Sequence, residues 1–344
     1  MHGKLQNKNE KISRQQWKFA QIIIKWNLCS IHTKGYFNAM VIEEFKKHFP
    51  NLIVKENEPL SLYTYTKTGG PADILVFPTT IEEVRNVVEW VNKEQLPLTV
   101  LGNASNLIVK DGGIRGVVLI LTKMNQIQIE KKKVIAQSGA RLIDTSYAAY
   151  EAELTGLEFA CGIPGSIGGA VYMNAGAYEG EVSETIESVT VLTLAGELKV
   201  LKNKDLDFRY RHSAIQESHD IVLEVVFALD HGKKKEIKER MDELTFLRES
   251  KQPLEFPSCG SVFKRPTGYF TGKLIQEAGL QGLVWGGAQI SEKHAGFIVN
   301  IDHATATDYI ELIEHIKEVI LEVNQVQLET EVRIIGEDLV REFS

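Results

Sequence analysis

Two arginines flank a tyrosine in Asp207-Phe208-Arg209-Tyr210-Arg211-His212-Ser213. On an extended strand alternate side chains share a face, so Arg209 and Arg211 would form a clamp for a carboxylate or phosphate; a solvated edge strand is the plainer alternative. Glu331 opens the strand-like Glu331-Val332-Arg333-Ile334-Ile335. Among branched apolar neighbours such a carboxyl moves toward its neutral form and can donate a proton, unless it pairs with Arg333 at the surface. Ser261 lies in Cys259-Gly260-Ser261-Val262-Phe263-Lys264-Arg265-Pro266, a hydroxyl beside a glycine with two cations following. Neither a nucleophile elbow nor a Ser-His-Asp arrangement accompanies it, so a hydrolase lacks its base, and a buried or turn serine is the bland reading.

Glycine-rich segments supply a second kind of chemistry. Gly162-Ile163-Pro164-Gly165-Ser166-Ile167-Gly168-Gly169 leads into Asn174-Ala175-Gly176-Ala177-Tyr178. Glycines let the main chain approach a pyrophosphate closely, and successive N–H groups form an anion nest. The spacing GxxGxxGG is neither the dinucleotide fingerprint GxGxxG nor a P-loop, and a tight structural turn would also explain it. Thr68-Gly69-Gly70-Pro71-Ala72-Asp73 and Gly102-Asn103-Ala104-Ser105-Asn106 are two further small-residue loops. Three such loops converging on one extended cofactor would be stronger evidence than any one alone.

Composition narrows the classes. With 344 residues, 43% hydrophobic and 25% charged, the chain reads as globular and large enough for two or three domains. A net charge of −7 argues against nucleic acid or an anionic membrane as the main partner. Cys29, Cys161 and Cys259 stand far apart, and His212, His219, His294 and His303 have no ligand spacing, so no metal is expected. The apolar runs are strand-sized, which predicts no membrane span.

The elements that must position these residues follow from periodicity. Residues 73–77 predict a strand ended by Pro78, and Thr80 with Glu83 a capping box before the stripe Ile81, Val84, Val87, Val88 and Val91. Leu98–Leu101 predicts a strand running into the loop at 102–106. Short strands are expected at 117–121, 134–137, 189–194 and 221–229, with a hairpin turn at Ala195-Gly196 and a helix over about 141–153. A polar helix opens near 231–235, and a last helix over about 307–323 aligns Ile310, Ile313, Ile316, Ile320 and Val323. Residues 1–39 carry seven Lys or Arg against the single acid Glu10; they read as an appendage, a tag or an upstream start, with Met40 as a plausible true start.

Taken in order, ThrGlyGlyProAlaAsp, GlyAsnAlaSerAsn, GlyIleProGlySerIleGlyGly with AsnAlaGlyAlaTyr, TyrArgHisSer, CysGlySerValPheLys and GluValArgIleIleGly resemble the UDP-N-acetylenolpyruvoylglucosamine reductase family. The resemblance runs from about Leu60 to Gly336 and leaves 1–39 outside. It implies an α+β protein: a two-subdomain FAD-binding fold of the vanillyl-alcohol-oxidase/PCMH type with a C-terminal α+β substrate-binding domain. The implied divisions are 40–105 (rejoined by about 326–344), 106–232 and 233–325. Matched motif by motif, Arg211, Ser261 and Glu331 take the catalytic positions. Gly69, Gly70, Gly102, Asn103, Ala104, Ser105, Asn106, Gly162, Ile163, Pro164, Gly165, Ser166, Gly168, Gly169 and Ala170 are the implied contacts of non-covalent FAD. Tyr178, Lys264, Lys273, Gln289 and His294 are the candidates for substrate.

The resemblance further implies NADPH as hydride-donating co-substrate and reduction of UDP-N-acetylglucosamine enolpyruvate to UDP-N-acetylmuramate. The setting it implies is the bacterial cytoplasm, with peptidoglycan precursor synthesis, no metal and a monomeric enzyme. The short stretch after Arg211 matches the branch without a substrate-capping tyrosine loop. Two rivals stay in view: an oxidase or dehydrogenase of the same flavin architecture, marked by substrate-dependent oxygen uptake, and a non-catalytic flavin or nucleotide-sugar binder.

Overall fold

A computed structural model describes residues 34–339. The chain divides into two compact units, residues 1–51 and 52–344. In the first, helix α1 (Lys34–His48) runs through Met40 without a break. The rest of the appendage expected at 1–39 lies outside the described residues.

The larger unit begins with a four-stranded sheet. Strand β1 (Ile53–Pro59) pairs antiparallel with β2 (Pro71–Phe77), and helix α2 (Ile81–Lys93) follows. Both halves of the Thr80–Glu83 capping box are made, and Val84, Val87, Val88 and Val91 are fully buried, so the 3.6-residue periodicity did select the packed face. Strand β3 (Leu98–Leu101) enters the loop at 102–106, and β4 (Leu107–Val109) leaves it. Strand β5 (Ile114–Ile120) inserts between β2 and β3 and runs parallel to both. The first sheet therefore continues to Ile120, past the division expected at 105/106. Asp111 and Gly112 form the turn that leads into β5.

A five-stranded antiparallel sheet comes next. Strands β6 (Ile127–Glu130), β7 (Lys133–Gln137), β8 (Ile186–Leu192), β9 (Leu198–Lys202) and β10 (Ile221–Ala228) take the order β9-β8-β10-β7-β6. Helices α3 (Leu142–Glu151) and α4 (Ile167–Met173) supply Leu142, Ala149, Ile167, Ala170 and Val171 to its core, with Val189, Val191, Val225 and Phe227 from the sheet. The Ala195-Gly196 turn forms as expected, Gly196 taking φ of +85°.

Helix α5 (Lys234–Lys251) is mostly polar and buries a stripe at Ile237, Met241 and Leu244, which packs on Cys161. Beyond it β11 (Ser258–Ser261), β12 (Val284–Trp285), β13 (Ala288–Ile290) and β14 (Phe297–Asn300) form a third sheet in the order β11-β14-β13-β12. Helices α6 (Thr271–Glu277) and α7 (Ala306–Asn324) share its core. The apolar face of α7 is Tyr309, Leu312, Ile313, Ile316 and Ile320, all fully buried. The expected stripe fits this face only in part: Val323 is 63% exposed in the last turn, and Ile310 is half-buried. Strand β15 (Arg333–Ile335) returns to pair in parallel with β4.

Two contacts tie the third sheet to the first. The Asp111 carboxylate accepts from the N–H groups of Ala306 and Thr307, capping α7 from outside. Asn300 donates to the Thr66 carbonyl and accepts from the Ala304 N–H. Among the described residues no helix is long and apolar enough to cross a membrane.

Candidate active site

A cavity of about 910 Å³ runs from the loop at 102–106 to Arg211, Ser261 and Glu331. A second, of about 400 Å³, opens beside it, and both are lined by Arg211, Ser261, His294 and Glu331. The three residues singled out for chemistry thus stand where an elongated cavity meets a smaller one.

Local structure explains how they arrive there. A register break between Ser258 and Ser261 bulges β11, with Gly260 at φ +78°, and turns Ser261 toward the cavities. The next residue, Val262, accepts through its carbonyl from the N–H of Glu331 at 2.8 Å, so Glu331 is stitched beside Ser261. Asn106 holds the same segment from the other side: its side chain donates to the Glu331 carbonyl at 3.2 Å, and its carbonyl accepts from Arg333 N–H at 3.1 Å. One short segment therefore fixes the acid against both the serine strand and the loop at 102–106.

Arg211 corrects the expectation of a strand. Residues 209–212 make a tight turn in which Arg209 and His212 bridge, and Arg211 adopts the left-handed φ of +55°. Arg209 and Arg211 consequently share no face: Arg209 points outward to Asp207, whereas Arg211 Nε donates to Glu331 Oε1 at 2.7 Å. Asn174, the left-handed cap of α4, holds this turn by donating to the Arg209 carbonyl, and Gly176 O accepts from Arg211 at 3.3 Å. Such uncommon backbone at a non-glycine residue persists only where its surroundings over-determine it, which is frequent at functional sites.

Glu331 takes Arg211 as its partner; the surface pair with Arg333 is not made, and Arg333 lies over the Tyr172 ring. Burial pushes the Glu331 carboxyl above the ordinary glutamate range, while Arg211 pulls it down; burial is the larger effect. At the junction of the cavities, His294 Nδ1 accepts from Gly296 N–H at 3.1 Å, and burial lowers its pKa, favouring the neutral ring with its proton on Nε2.

The loop at 102–106 packs on the GxxGxxGG segment. A Cβ on Gly102 would collide with Ser166 Oγ, and one on Gly168 would come within 3.2 Å of Ser138 Cβ. Ser166 also caps α4 through Gly169 N–H. Ser138 is 1% exposed, and its hydroxyl lines the large cavity without a hydrogen-bond partner among the described residues, which leaves it available to a ligand. A long cavity with a glycine cradle and an orphan hydroxyl fits an extended dinucleotide. We expect Gly102→Ala to cost about 1–3 kcal/mol by overpacking and to shift Ser166. Flavin retention after dialysis and the unfolding midpoint should both fall.

Of the expected cofactor contacts, Gly102, Asn103, Ala104, Ser105, Asn106, Ile163, Pro164, Gly165, Ser166, Gly168, Gly169 and Ala170 line the large cavity. Gly69 and Gly70 do not: Gly69 (φ +125°) sits against Val109, and Gly70 N–H donates to the Lys110 carbonyl, so they serve backbone packing. Gly162 is set back from the lining, where a Cβ would come within 2.7 Å of the Arg248 Cδ atom. Among the substrate candidates, Tyr178 lines the large cavity and Lys273 the small one, with His294 in both. Lys264 pairs with Glu329 and Gln289 donates to the Gly282 carbonyl, and neither lines these two cavities. Sequence reasoning missed Ser138, Arg248, Arg265, Lys293 and Arg333, all cavity-lining. Among the described residues, no three His, Cys, Asp or Glu gather as a metal site.

This geometry meets its counterpart among known proteins. A reductase from Pediococcus pentosaceus, called UDP-N-acetylenolpyruvoylglucosamine reductase, is 60% identical over 87% of this chain and 100% of its own. The chain belongs to the UDP-N-acetylenolpyruvoylglucosamine reductase family. An Enterococcus faecalis relative of the same name is 64% identical over 82% of this chain and 94% of its own. The model of that reductase's C-terminal domain matches residues 252–335, and an FAD-binding domain model matches 72–202. The crystal structure of the Thermus caldophilus reductase is 37% identical, with a TM-score of 0.73, covering 82% of this chain and 99% of that one. The family's α+β build, an FAD-binding domain followed by its own C-terminal domain, is thus the build of this chain.

Proposed function

We propose that this member of the reductase family reduces UDP-N-acetylglucosamine enolpyruvate to UDP-N-acetylmuramate with NADPH, and that Arg211, Ser261 and Glu331 carry the chemistry. The observation that carries the roles is the meeting of the two cavities at Arg211, Ser261 and Glu331. The glycine cradle and Ser138 would hold FAD non-covalently, and FAD when bound supplies a hydride to the terminal vinyl carbon of the sugar ether.

Hydride addition there leaves an electron pair on the α-carbon, shared with the neighbouring carboxylate. Arg211, fixed by Glu331, stabilises that developing charge; one such fixed donor in a dry site is typically worth about 3–4 kcal/mol. Ser261 gives its hydroxyl proton to the α-carbon, which completes the new C–H bond, and the serine is reprotonated by relay. The basic lining of the small cavity, Arg265, Lys273 and Lys293, suits the diphosphate of the nucleotide sugar. On the branch without a tyrosine-bearing insertion, Tyr210 lines the small cavity beside Arg211, 54% exposed, and its hydroxyl accepts from the Arg265 N–H.

The division into two FAD-binding subdomains and a substrate domain, a monomeric state and a cytoplasmic role in peptidoglycan precursor synthesis complete this reading. Anaerobic stopped flow tests it. Bound flavin should bleach with NADPH and recover rapidly on adding the enolpyruvyl sugar. Recovery with oxygen alone would transfer the protein to the oxidase reading.

A further inference from the structure

Helix α5 buries one stripe at Ile237, Met241 and Leu244, and the next position on that stripe is Arg248. A guanidinium occupies the place where the pattern calls for an apolar side chain. It lines the large cavity, and among the described residues it has no carboxylate partner; Tyr178 and Cys161, which pack together with the α5 stripe, are the groups that act on its charge. One turn further, Gln252 also lines the cavity, and its Oε1 is buried without a hydrogen-bond partner among the described residues. A half-buried cation without a counter-charge is costly to fold, and one that faces a cavity is suited to an anion bound there.

The place along the cavity selects the anion. The loop at 102–106 meets the glycine segment at Gly165 and Ser166, which marks the end suited to a diphosphate. Arg248 sits instead at Gly162 and Tyr178. Tyr178 belongs to the hairpin whose Gly176 carbonyl accepts from Arg211, so Arg248 stands at the catalytic end, where a reacting ring has to lie. NADPH delivers a proton and two electrons as hydride, so a neutral oxidised ring gains one negative charge as NADP⁺ leaves.

We propose that Arg248 is the counter-cation of the two-electron-reduced flavin ring and thereby sets the cofactor's reduction potential. The proposal rests on the flavin reading of the large cavity. Arg248 acts on the ring's charge, not on the sugar, and keeps the reduced ring from taking up a second proton.

Spectroelectrochemical titration of the FAD-loaded enzyme across pH tests this, with FAD affinity measured by flavin fluorescence on the same samples. Arg248→Met is expected to disfavour two-electron reduction about 100-fold, or about 60 mV at roughly 30 mV per tenfold. Proton uptake should rise from one to two per electron pair. Arg248→Lys, which keeps the charge, should stay within about tenfold and still take up one proton. If the methionine variant does not fold, Arg248→Gln is read in the same way. An unchanged potential and proton count would overturn the assignment, whether the loss then appeared in FAD affinity, which would give Arg248 to the diphosphate, or in the KM for the sugar, which would give it to substrate. Failure of the wild-type chain to take up FAD would instead overturn the flavin reading itself.

Discussion

Ser261→Ala is expected to slow the sugar-dependent step by about 10²–10⁴-fold, the usual range for a lost general acid, while reduction by NADPH stays within about twofold of wild type. The asymmetry follows from placement. Ser261 stands on the bulge of β11 at the junction of the cavities, whereas the glycine cradle that would hold the cofactor is built from the loops at 102–106 and 162–169. Removing one hydroxyl changes neither loop, so the cofactor's affinity and its encounter with NADPH are preserved. What disappears is the proton for the α-carbon, without which the electron pair left by hydride addition has no outlet but reversal. Single-turnover stopped flow with pre-reduced enzyme separates the two steps. Equal losses in both half-reactions would remove Ser261 from its role as proton donor and make it part of the cofactor site.

What the sequence shows and what it hides divide along physical lines. The capping box of α2, most of the stripe of α7 and strands β2, β3, β5, β7, β8 and β10 were legible because local periodicity and burial agree there, whereas the largely exposed β1, β6 and β9 gave no such pattern. Arg211 was picked out by type, but its geometry was not. The alternation around Tyr210 predicts a strand, whereas the turn is imposed by Asn174, 35 residues away from the carbonyl it binds, and by left-handed backbone at Asp207 and Arg211. Tertiary contacts overrode the local pattern. The partner of Glu331 was hidden for a similar reason, since 120 residues separate it from Arg211. Gly69 and Gly70, which pack on backbone outside the lining of the large cavity, show a second limit: glycines serve close backbone packing as readily as ligand approach, and spacing alone does not separate the two uses. Arg248 did leave a trace, a cation continuing the stripe of Ile237, Met241 and Leu244 on a mostly polar helix, which becomes readable once the buried face of α5 is known.

Glu331→Gln should remove the high-pH limb of the sugar-dependent step and lower its maximal rate by about 10²–10³-fold. Burial raises the Glu331 carboxyl above its ordinary value, and the opposing pull of Arg211 is the smaller effect. Between the ordinary and the raised value the folded protein therefore holds a proton that the unfolded chain has already released. The stabilisation linked to Glu331 is complete below the ordinary carboxyl pKa and is lost as pH rises through the raised one. The same window governs activity, because the protonated carboxyl is the form that can donate toward the developing charge beside Arg211. Glutamine keeps an N–H donor but cannot titrate, so its rate should be flat where wild type declines. Its stability relative to wild type should also improve as pH rises through that window, whatever the constant loss from leaving Arg211 without its carboxylate. Single-turnover rates and denaturant midpoints across pH measure both trends on the same pair of proteins. A glutamine variant that kept the wild-type decline would place the titrating group elsewhere and reduce Glu331 to a residue that orients Arg211.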